Sequence, residues 1–391
     1  MPRFATVPIG PYHPALKEPE LFKLKVEGET VVDVDIRIGY NHRGIEKLSE
    51  SMTYHQITFL VERICGICSN IHPLCYVQAA EAIAGIEPPE RALYIRTIIE
   101  ELERIHSHLL WLGIGAHIIG FDTLFMWVWK IREPVLDIFE AVCGNRQTYA
   151  MMKIGGVRRD IKEEHTQMIL KIMDETERAT RSVINMVLED PVARARLEGV
   201  GVLTKEDARK YCTVGPTARG SGLNIDARKD HPHAAYDLVD FKVPVMTEGD
   251  VLAKTVVRLE EILESISIIK QALDAMPSGD IATEFKEMPP GEGVGMAEAP
   301  RGEDIHYLKS NGTNMPERHK IRAPSYMNIP SLKPQLMNYE IADAPIIIAS
   351  IDPCFSCTDR ITVVDARDGK SKTLSWDELV YLSRRKTRRL K

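Results

Sequence analysis

Two short stretches decide how this chain folds: RICGIC at residues 63–68 and DPCFSC at residues 352–357. Each contains a C-x-x-C pair, the spacing that lets two thiolates bind one metal ion or close one redox disulfide. The pairs lie near opposite ends of a chain of 391 residues, so only tertiary folding can bring them together. If they meet, four soft sulfur ligands converge inside a large protein, and the rest of the chain serves to position them.

The composition is that of an ordinary globular protein, with 44% hydrophobic and 27% charged residues, and the length predicts about two domains. A net charge of −6 offers no basic surface, so no nucleic-acid partner is expected. Seven cysteines, four of them in C-x-x-C pairs, favour a reducing compartment and a metal or redox role. The first residues lack the apolar run of a signal peptide, which favours a cytoplasmic location.

Hydrophobic periodicity predicts a helical protein with a small β layer. Alternating apolar residues at 22–26 and 31–38 predict an N-terminal β-hairpin. The Pro- and Gly-rich residues 289–334 predict short strands and loops. The predicted fold class is therefore α+β, with a helical-bundle core, a small N-terminal β layer and β-rich excursions. The predicted helices span residues 91–113, 133–141, 161–188 and 251–276.

We expect three parts along the chain: a β-rich N-terminal segment at 1–48, a helical core with the metal site at 49–360, and a C-terminal extension at 361–391. Within the core, residues 109–129 are apolar enough to resemble a membrane span. This segment contains His117 and Asp122, and polar groups at mid-span are costly in lipid. We therefore predict a buried core helix there.

Spacing alone leaves three interpretations of the cysteine pairs open. Two C-x-x-C pairs most often form a structural four-thiolate zinc site. Zinc ribbons place their pairs much closer in sequence, however, so a redox-active metal is the second interpretation. Unpaired thiols are the third. The remaining cysteines, Cys75, Cys143 and Cys212, belong to no motif and are interpreted as small buried hydrophobic residues.

The flanking residues extend each pair into a longer motif. The first reads R-x-C-G-x-C-x-x-x-H from Arg63 to His72, and the second reads D-P-C-x-x-C-x-x-R from Asp352 to Arg360. In this order they resemble the paired signatures of the nickel–iron hydrogenase large subunit. Segments 10–14, 42–47 and 215–222 make the chain similar to the energy-converting, membrane-bound branch related to the 49-kDa subunit of complex I. The resemblance covers almost the whole chain and implies the helical-bundle core of that family.

The resemblance implies a nickel–iron centre whose iron carries cyanide and carbon monoxide. Cys65, Cys68, Cys354 and Cys357 would bind nickel, with Cys68 and Cys357 also bridging to iron. Cys65 and Cys354 would then be terminal on nickel. A terminal thiolate can accept the proton when dihydrogen splits heterolytically.

Further roles follow from matching positions. Glu18 would relay protons from the terminal cysteine, although a glutamate in K-E-P is otherwise typical of a solvated loop. Arg301 would lie over the open metal position, its guanidinium facing polarised dihydrogen. Its alternative is a turn arginine paired with Glu298 or Glu303.

Four more residues complete the expected surroundings of the centre. Asp352 would orient Arg301, and His72 would hydrogen-bond a cysteine sulfur. Pro300, beside Arg301, would join His72 in binding the cofactor. Asp122 is a weaker candidate for a place near Arg301, over the open metal position.

Two departures from the family pattern concern the C-terminal end. Many hydrogenases end the second motif with a histidine that helps hold a magnesium or iron ion, but here the position is Arg360. Because arginine is not a neutral nitrogen ligand, we expect no such ion and an Arg360–Glu46 pair instead. The chain also continues over 361–391, a tail that much of the family removes on maturation. This tail predicts a hairpin, a helix at 376–382 and a basic end.

The predicted function is the catalytic large subunit of a membrane-bound, energy-converting hydrogenase that reduces protons to dihydrogen reversibly. Electrons would come from reduced ferredoxin through a small iron–sulfur partner subunit, with no cluster in this chain. Membrane-arm, ion-translocating subunits would bind it at the cytoplasmic face of the membrane. The alternatives are the hydrogenase subunit of a formate- or CO-linked complex, and a non-catalytic coupling scaffold like that of complex I. Complex I relatives lack the cysteine set, and a sulfur-reducing relative is modified around the metal, so four cysteines favour hydrogen.

Overall fold

The computed structural model describes residues 4–358, 363–364, 371–372, 374 and 376–390. Its ten strands form four antiparallel sheets, with the orders β1-β2-β3, β4-β5, β6-β7-β8 and β9-β10 among the described residues. The strands are β1 (Phe4–Ile9), β2 (Leu21–Glu27), β3 (Thr30–Arg37), β4 (Met152–Lys153), β5 (Gly156–Val157), β6 (Pro290–Ala299), β7 (Gly302–Asn311), β8 (Arg318–Arg322), β9 (Val363–Val364) and β10 (Ser371–Lys372).

Helices make up most of the rest of the described chain, and short 3-10 turns separate the last of them. The helices are α1 (Ile45–Ser49), α2 (Tyr54–Glu62), α3 (Ile71–Ala84), α4 (Glu90–Ile118), α5 (Asp122–Cys143), α6 (Glu163–Glu189), α7 (Pro191–Leu197), α8 (Lys205–Lys210), α9 (Gly215–Arg219), α10 (Ala227–Asp230), α11 (Val251–Ala275), α12 (Pro324–Asn328), α13 (Leu332–Leu336), α14 (Ala344–Ser350) and α15 (Trp376–Leu390).

Four long helices form the core that the sequence predicts. Helix α4 packs against α5 and α11, and α6 packs against the same two helices. Asp250 caps α11 by accepting a hydrogen bond from Ala253 N at 2.7 Å, so the predicted start of this helix has a physical cause. The α+β class with a helical core and a small N-terminal sheet is confirmed.

The apolar segment 109–129 is two helices rather than one. Helix α4 ends at Ile118 and α5 begins at Asp122. Gly120 turns the chain between them with a φ of +84°, a left-handed conformation that glycine adopts without strain. The prediction of one continuous buried helix is wrong at this turn. Among the described residues, no helix is long and apolar enough to cross a membrane.

The N-terminal sheet supports the second cysteine motif. The apolar side chains of β2 alternate as the sequence predicts, and Phe22, Leu24 and Val26 are buried. They share a hydrophobic cluster with residues of α13 and α14. Phe355, between the two cysteines of the second pair, packs on Phe22 with ring centroids 5.9 Å apart. The sheet thus anchors the loop that follows α14.

Strand β6 carries alternating glycines that let helix α3 lie directly on its backbone. A Cβ atom at Gly295 would lie 1.9 Å from the carbonyl oxygen of Cys75, and one at Gly293 would lie 2.2 Å from that of Ala79. Cys75 and Ala79 are one helical turn apart and so share a face of α3. This contact links α3, which follows the first cysteine pair, to the β6–β7 turn that carries Arg301.

Replacing Gly295 with Ala is expected to destabilise the fold by about 3 kcal/mol or more, because the added methyl group overlaps backbone that cannot move away. Thermal or denaturant unfolding measures the loss. Val294→Ala on the same strand is the control, since Val294 is 54% exposed and a surface change costs within about 0.5 kcal/mol. Equal stability of the two variants would contradict the close contact of α3 with β6.

The C-terminal tail agrees in part with its prediction. Strands β9 and β10 pair as an antiparallel hairpin, within the region where the sequence predicts one. Helix α15 continues to Leu390, well past the predicted end at residue 382. The basic stretch therefore belongs to a helix, and residues 383–388 in it are exposed.

The three cysteines outside the motifs do not behave alike. Cys75 and Cys143 are buried, as predicted, but Cys212 is exposed. Cys212 also has a φ of +52°, directly after the short helix α8. The prediction that all three are small buried hydrophobic residues is wrong for Cys212, because its position at a helix end faces solvent.

Candidate metal centre

The two cysteine pairs meet in the interior. Cys354 Sγ lies 3.1 Å from Cys65 Sγ and 2.8 Å from Cys357 Sγ. The backbone N–H of Cys68 donates to Cys65 Sγ at 3.3 Å, which holds the first pair in a tight turn between α2 and α3. All four cysteines are buried. The fold thus brings the sulfur atoms of Cys65, Cys354 and Cys357 together with Cys68 beside Cys65, although the two pairs lie near opposite ends of the sequence.

A single guanidinium ties the two cysteine loops together. Arg43 donates to the carbonyl oxygen of Arg63 at 2.6 Å and to that of Ile64 at 2.8 Å. It also donates to the carbonyl oxygen of Ser356 at 2.9 Å. The planar fork of arginine suits this task, because it directs several N–H groups at once. Arg43 therefore fixes the separation of the two loops.

Arg301 reaches the cysteines from the β6–β7 turn. It donates to the Asp352 carbonyl oxygen at 2.7 Å, to Asp352 Oδ1 at 2.9 Å and to Ser107 Oγ at 3.0 Å. Its Nη1 lies 3.5 Å from Cys68 Sγ. Lys17 Nζ donates to the same Asp352 Oδ1 at 2.9 Å. One buried carboxylate thus holds two cations beside the sulfur cluster.

The alternative pairing of Arg301 with neighbouring glutamates does not occur among the contacts described for it. Glu298 instead accepts from Arg219 Nη1 at 2.7 Å, and Glu303 pairs with Arg322. Arg301 is 1% exposed, and an arginine is rarely buried without a dedicated partner. Pro300 lies beside it, buried in the same turn. The structure places Arg301 at the centre and Pro300 next to it in the chain, while the roles of both stay predictions.

The glycine-rich segment 215–222 packs directly against the backbone of the turn that carries Arg301. A Cβ atom at Gly215 would lie 2.3 Å from the carbonyl oxygen of Arg301, so only glycine permits this approach. Asn328 Nδ2 donates to that same oxygen at 3.2 Å. The backbone of Arg301 is therefore held from two sides, which keeps its guanidinium aimed at the cysteines.

The buried thiols differ in their affinity for protons. Hydrogen bonds from Cys354, Cys357 and Cys68 hold the pKa of the Cys65 thiol well below its usual range. Burial holds the pKa of the Cys357 thiol well above it. Cysteines bind metal ions as thiolates, so a cation bound by all four sulfur atoms must displace protons from the cysteines other than Cys65.

Two carboxyl groups of the N-terminal loop face the second cysteine motif. Glu18 Oε2 accepts from the backbone N–H of Ser356 at 2.8 Å, and Glu18 Oε1 accepts from the Ser356 hydroxyl. Glu20, which no sequence motif marks, is buried near Thr358. Burial raises the pKa of Glu20 to about 8. Glu18 thus lies within one hydrogen bond of the residue between Cys354 and Cys357.

His72 stands behind the sulfur cluster. Its Nε2 lies 3.5 Å from Cys357 Sγ, the kind of contact expected for a group that orients a metal ligand. Its Nδ1 faces Asp304 Oδ2 at 2.8 Å and His306 Nε2 at 3.1 Å. Sequence reasoning missed Asp304 and His306, since no motif marks them.

Asp122 does not reach this centre. Its side chain is 70% exposed and pairs with His117 at 2.6 Å, at the turn between α4 and α5. The interpretation of Asp122 as a residue near Arg301 and the metal position is therefore wrong. The cause is the break after α4, which turns this residue towards solvent.

The predicted Arg360–Glu46 pair lies partly outside the described residues, because Arg360 is not among them. Glu46 Oε2 accepts from Lys320 Nζ at 2.9 Å, and Glu46 Oε1 accepts from the backbone N–H of Ile321 at 3.1 Å. The pairing and the expected lack of a distal ion stay predictions.

Comparisons with known proteins bear on the whole chain. Residues 43–114 match the family described as nickel-dependent hydrogenase. Residues 119–288 and 280–360 match the respiratory-chain NADH dehydrogenase 49 Kd subunit. The chain is 43% identical to the membrane-bound hydrogenase subunit alpha of Pyrococcus furiosus, over 98% of this chain and 93% of that one. This chain belongs to the nickel–iron hydrogenase large-subunit family.

Other relatives place the chain in the membrane-bound branch related to complex I. It is 45% identical to the carbon monoxide-induced hydrogenase of Rhodospirillum rubrum, over 91% of this chain and 99% of that one. It is 41% identical to formate hydrogenlyase subunit 5 of Escherichia coli, over 95% of this chain and 66% of that one. A chain in the solved structure of the membrane-bound sulfane sulfur reductase, an archaeal respiratory membrane complex, superposes with a TM-score of 0.87 at 32% identity, covering 91% of this chain and 98% of that one.

The residues present fit a soft metal centre. Cys65, Cys354 and Cys357 bring their sulfur atoms within 4.8 Å of one another, and Cys68 lies beside them. Thiolate is the ligand that soft and borderline transition metals prefer. The Arg301 and Lys17 cations near the cluster compensate negative charge on buried thiolates. Both the donor set and its surroundings suit a nickel–iron centre.

Proposed function

We propose that this chain is the catalytic large subunit of a membrane-bound, energy-converting hydrogenase that reduces protons to dihydrogen reversibly. The observation that carries the proposal is the meeting of Cys65, Cys68, Cys354 and Cys357 beside buried Arg301. A family member that served only as a scaffold would have no need of this cysteine set. The high identity to two hydrogenases supports the same conclusion.

Each residue of the centre has a task in this proposal. Nickel with iron carrying cyanide and carbon monoxide, when bound, supplies the site at which dihydrogen forms and splits. All four cysteines would hold these metals; Cys65 and Cys354 would also take up the proton at Sγ, whereas Cys68 and Cys357 would serve as metal ligands alone. Arg301 presents a fixed positive charge to the reacting position, and Asp352 orients it through two hydrogen bonds.

Glu18 carries the proton between the centre and the surface in this proposal. Its carboxylate is fixed by the backbone N–H and the hydroxyl of Ser356, so it stands beside the loop that bears Cys354. A positioned carboxylate contributes about 10²–10⁴-fold when proton transfer limits a reaction. The hydroxyl of Ser356 donates to Glu18 Oε1 and can change its donor and acceptor roles by rotation, so it is the group that would pass a proton to this carboxylate.

Electrons reach the centre from outside the chain. The donor in this proposal is reduced ferredoxin, acting through a small iron–sulfur partner subunit, and membrane-arm subunits couple the reaction to ion translocation at the cytoplasmic face of the membrane. The support is that relatives are subunits of membrane-bound hydrogenases or of a respiratory membrane complex. A formate- or CO-linked complex is the second candidate, favoured by the 45% identity to a carbon monoxide-induced hydrogenase.

The proposal is tested by metal analysis and infrared spectroscopy of the complex purified from cells grown with nickel. About one nickel per large subunit is expected, with stretching bands of iron-bound cyanide and carbon monoxide. A Cys357→Ser variant is expected to lose these bands, because it removes one sulfur from the cluster. Zinc in place of nickel, without the bands, would instead identify a non-catalytic scaffold like that of complex I.

A further inference from the structure

A second cluster of metal-binding side chains lies on the far side of His72 from the cysteines. His72 Nδ1 is 2.8 Å from Asp304 Oδ2 and 3.1 Å from His306 Nε2. His306 Nε2 is in turn 3.6 Å from Asp304 Oδ2. The three side chains are at most 1% exposed. Two imidazole nitrogens and one carboxylate oxygen thus point at one small volume.

Protons alone leave this cluster poorly satisfied. A neutral imidazole carries one N–H, and the nitrogens of His72 and His306 that face each other also face the carboxylate. A single N–H on one of these two nitrogens can make a good hydrogen bond either to the other nitrogen or to the carboxylate, but not to both. Neither oxygen of Asp304 has a hydrogen-bond donor in good geometry within the described chain, and a buried carboxylate without donors is costly.

The carboxylate of Asp304 lies between the two imidazoles, with Oδ2 2.8 Å from His72 Nδ1 and 3.6 Å from His306 Nε2. Asp304 is buried, so a negative charge on it must be balanced within the cluster, and a cation held by both imidazoles would balance it.

We propose that His72, Asp304 and His306 bind one divalent transition-metal cation, with zinc(II) best suited to the donor set. Around a tetrahedral zinc with bonds of about 2.0–2.1 Å, ligand atoms are about 3.3 Å apart. The three separations here bracket that value. Imidazole and carboxylate are common zinc ligands, whereas the cysteine cluster takes softer ions.

A cation at this position also gives every neighbouring hydrogen bond one direction. With metal on His72 Nδ1, the proton must be on Nε2, where it donates to Cys357 Sγ at 3.5 Å. With metal on His306 Nε2, its Nδ1–H donates to His319 Nε2 at 3.0 Å. His319 then donates to Ser49 Oγ at 3.1 Å, and Ser49 donates to the Glu46 carbonyl oxygen at 2.7 Å. The cation would thus fix the tautomer of the histidine behind Cys357.

Metal analysis of the purified, nickel-loaded complex tests the site. We expect about one zinc per large subunit, in addition to the metals of the cysteine centre, after weakly bound ions are removed with a chelator. His306→Gln and Asp304→Asn are expected to lower this zinc at least about tenfold. Ser49→Ala is the matched control, because it changes the end of the same hydrogen-bonded chain without removing a ligand. Its zinc content should equal that of the unmodified protein.

Anomalous X-ray scattering at the zinc edge gives a second readout that needs no variant. A peak among His72, Asp304 and His306 supports the site, and its absence from the unmodified protein overturns it. Unchanged zinc in both ligand variants overturns it as well, since a shared proton would then explain the contacts. A peak among His72, Asp304 and His306 can be told apart from one at the cysteines. Zinc at the cysteines in place of nickel would refute the proposed function but not this second site.

Discussion

Replacing Glu18 with Gln is expected to lower hydrogen evolution at least about 100-fold, the lower part of the range for a positioned proton-transfer group. The amide can still accept from the backbone N–H of Ser356 and meet its hydroxyl, so the loop keeps its place. It cannot take up and release a proton. Hydrogen evolution with a reduced dye measures the loss, while nickel content and the infrared bands should stay unchanged.

Glu27→Gln is the matched control for this experiment, because Glu27 is an exposed glutamate at the end of β2, where it pairs with Phe4 and Thr30. Its rate should equal that of the unmodified protein. A normal rate in Glu18→Gln would remove Glu18 from the proton path. Loss of nickel together with activity would instead make Glu18 a structural support of the loop.

Replacing Arg301 with Lys is expected to lower the rate about 100-fold, which corresponds to about 2.7 kcal/mol of barrier. The substitution keeps the charge but not the fork that reaches Asp352, Ser107 and Cys68 at once. A single ammonium cannot span these partners, so the positive charge moves away from the reacting position. Turnover with saturating dye and the nickel content are the measurements.

Ser107→Ala provides the comparison for Arg301, since it removes the one hydrogen bond from the guanidinium to a neutral hydroxyl and leaves both bonds to Asp352. A loss of about tenfold is expected, at the low end of the about 1.5–3 kcal/mol for a hydrogen bond to a charged group, because Asp352 still holds the guanidinium. If Arg301→Lys were no slower than Ser107→Ala, the guanidinium would have no role at the reacting position.

Local sequence was enough for the longest amphipathic helices and for identifying the four cysteines, but not for α5, which begins at Asp122 rather than at the predicted residue 133. Helices with long amphipathic patterns, such as α6 and α11, begin and end within about two residues of their predicted limits. The C-x-x-C pairs were identifiable because metal chemistry restricts both residue type and spacing. The residues flanking them carried the family, which the relatives then confirmed.

Contacts between distant segments were not predictable in this way. No sequence pattern marks Lys17, which donates to Asp352 across 335 residues of the chain. Asp304 and His306 lie on β7 among polar and charged residues, and only the packing of α3 against the sheet of β6 and β7 reveals their burial. The turn after α4 was missed because an apolar pattern continues through Gly120. Tertiary packing decides these features.

Because Arg43 bonds to both cysteine loops, the metal site can form only late in the synthesis of these residues. Cys65 and Cys354 are 289 residues apart, and at about 5–20 residues per second the ribosome needs roughly 15 to 60 s to make the intervening chain. Until then the first thiol pair and the Arg43 guanidinium have no second loop to hold. The cluster can therefore close only after the second cysteine loop has been made, and any factor that delivers metal must wait for, or protect, an incomplete site.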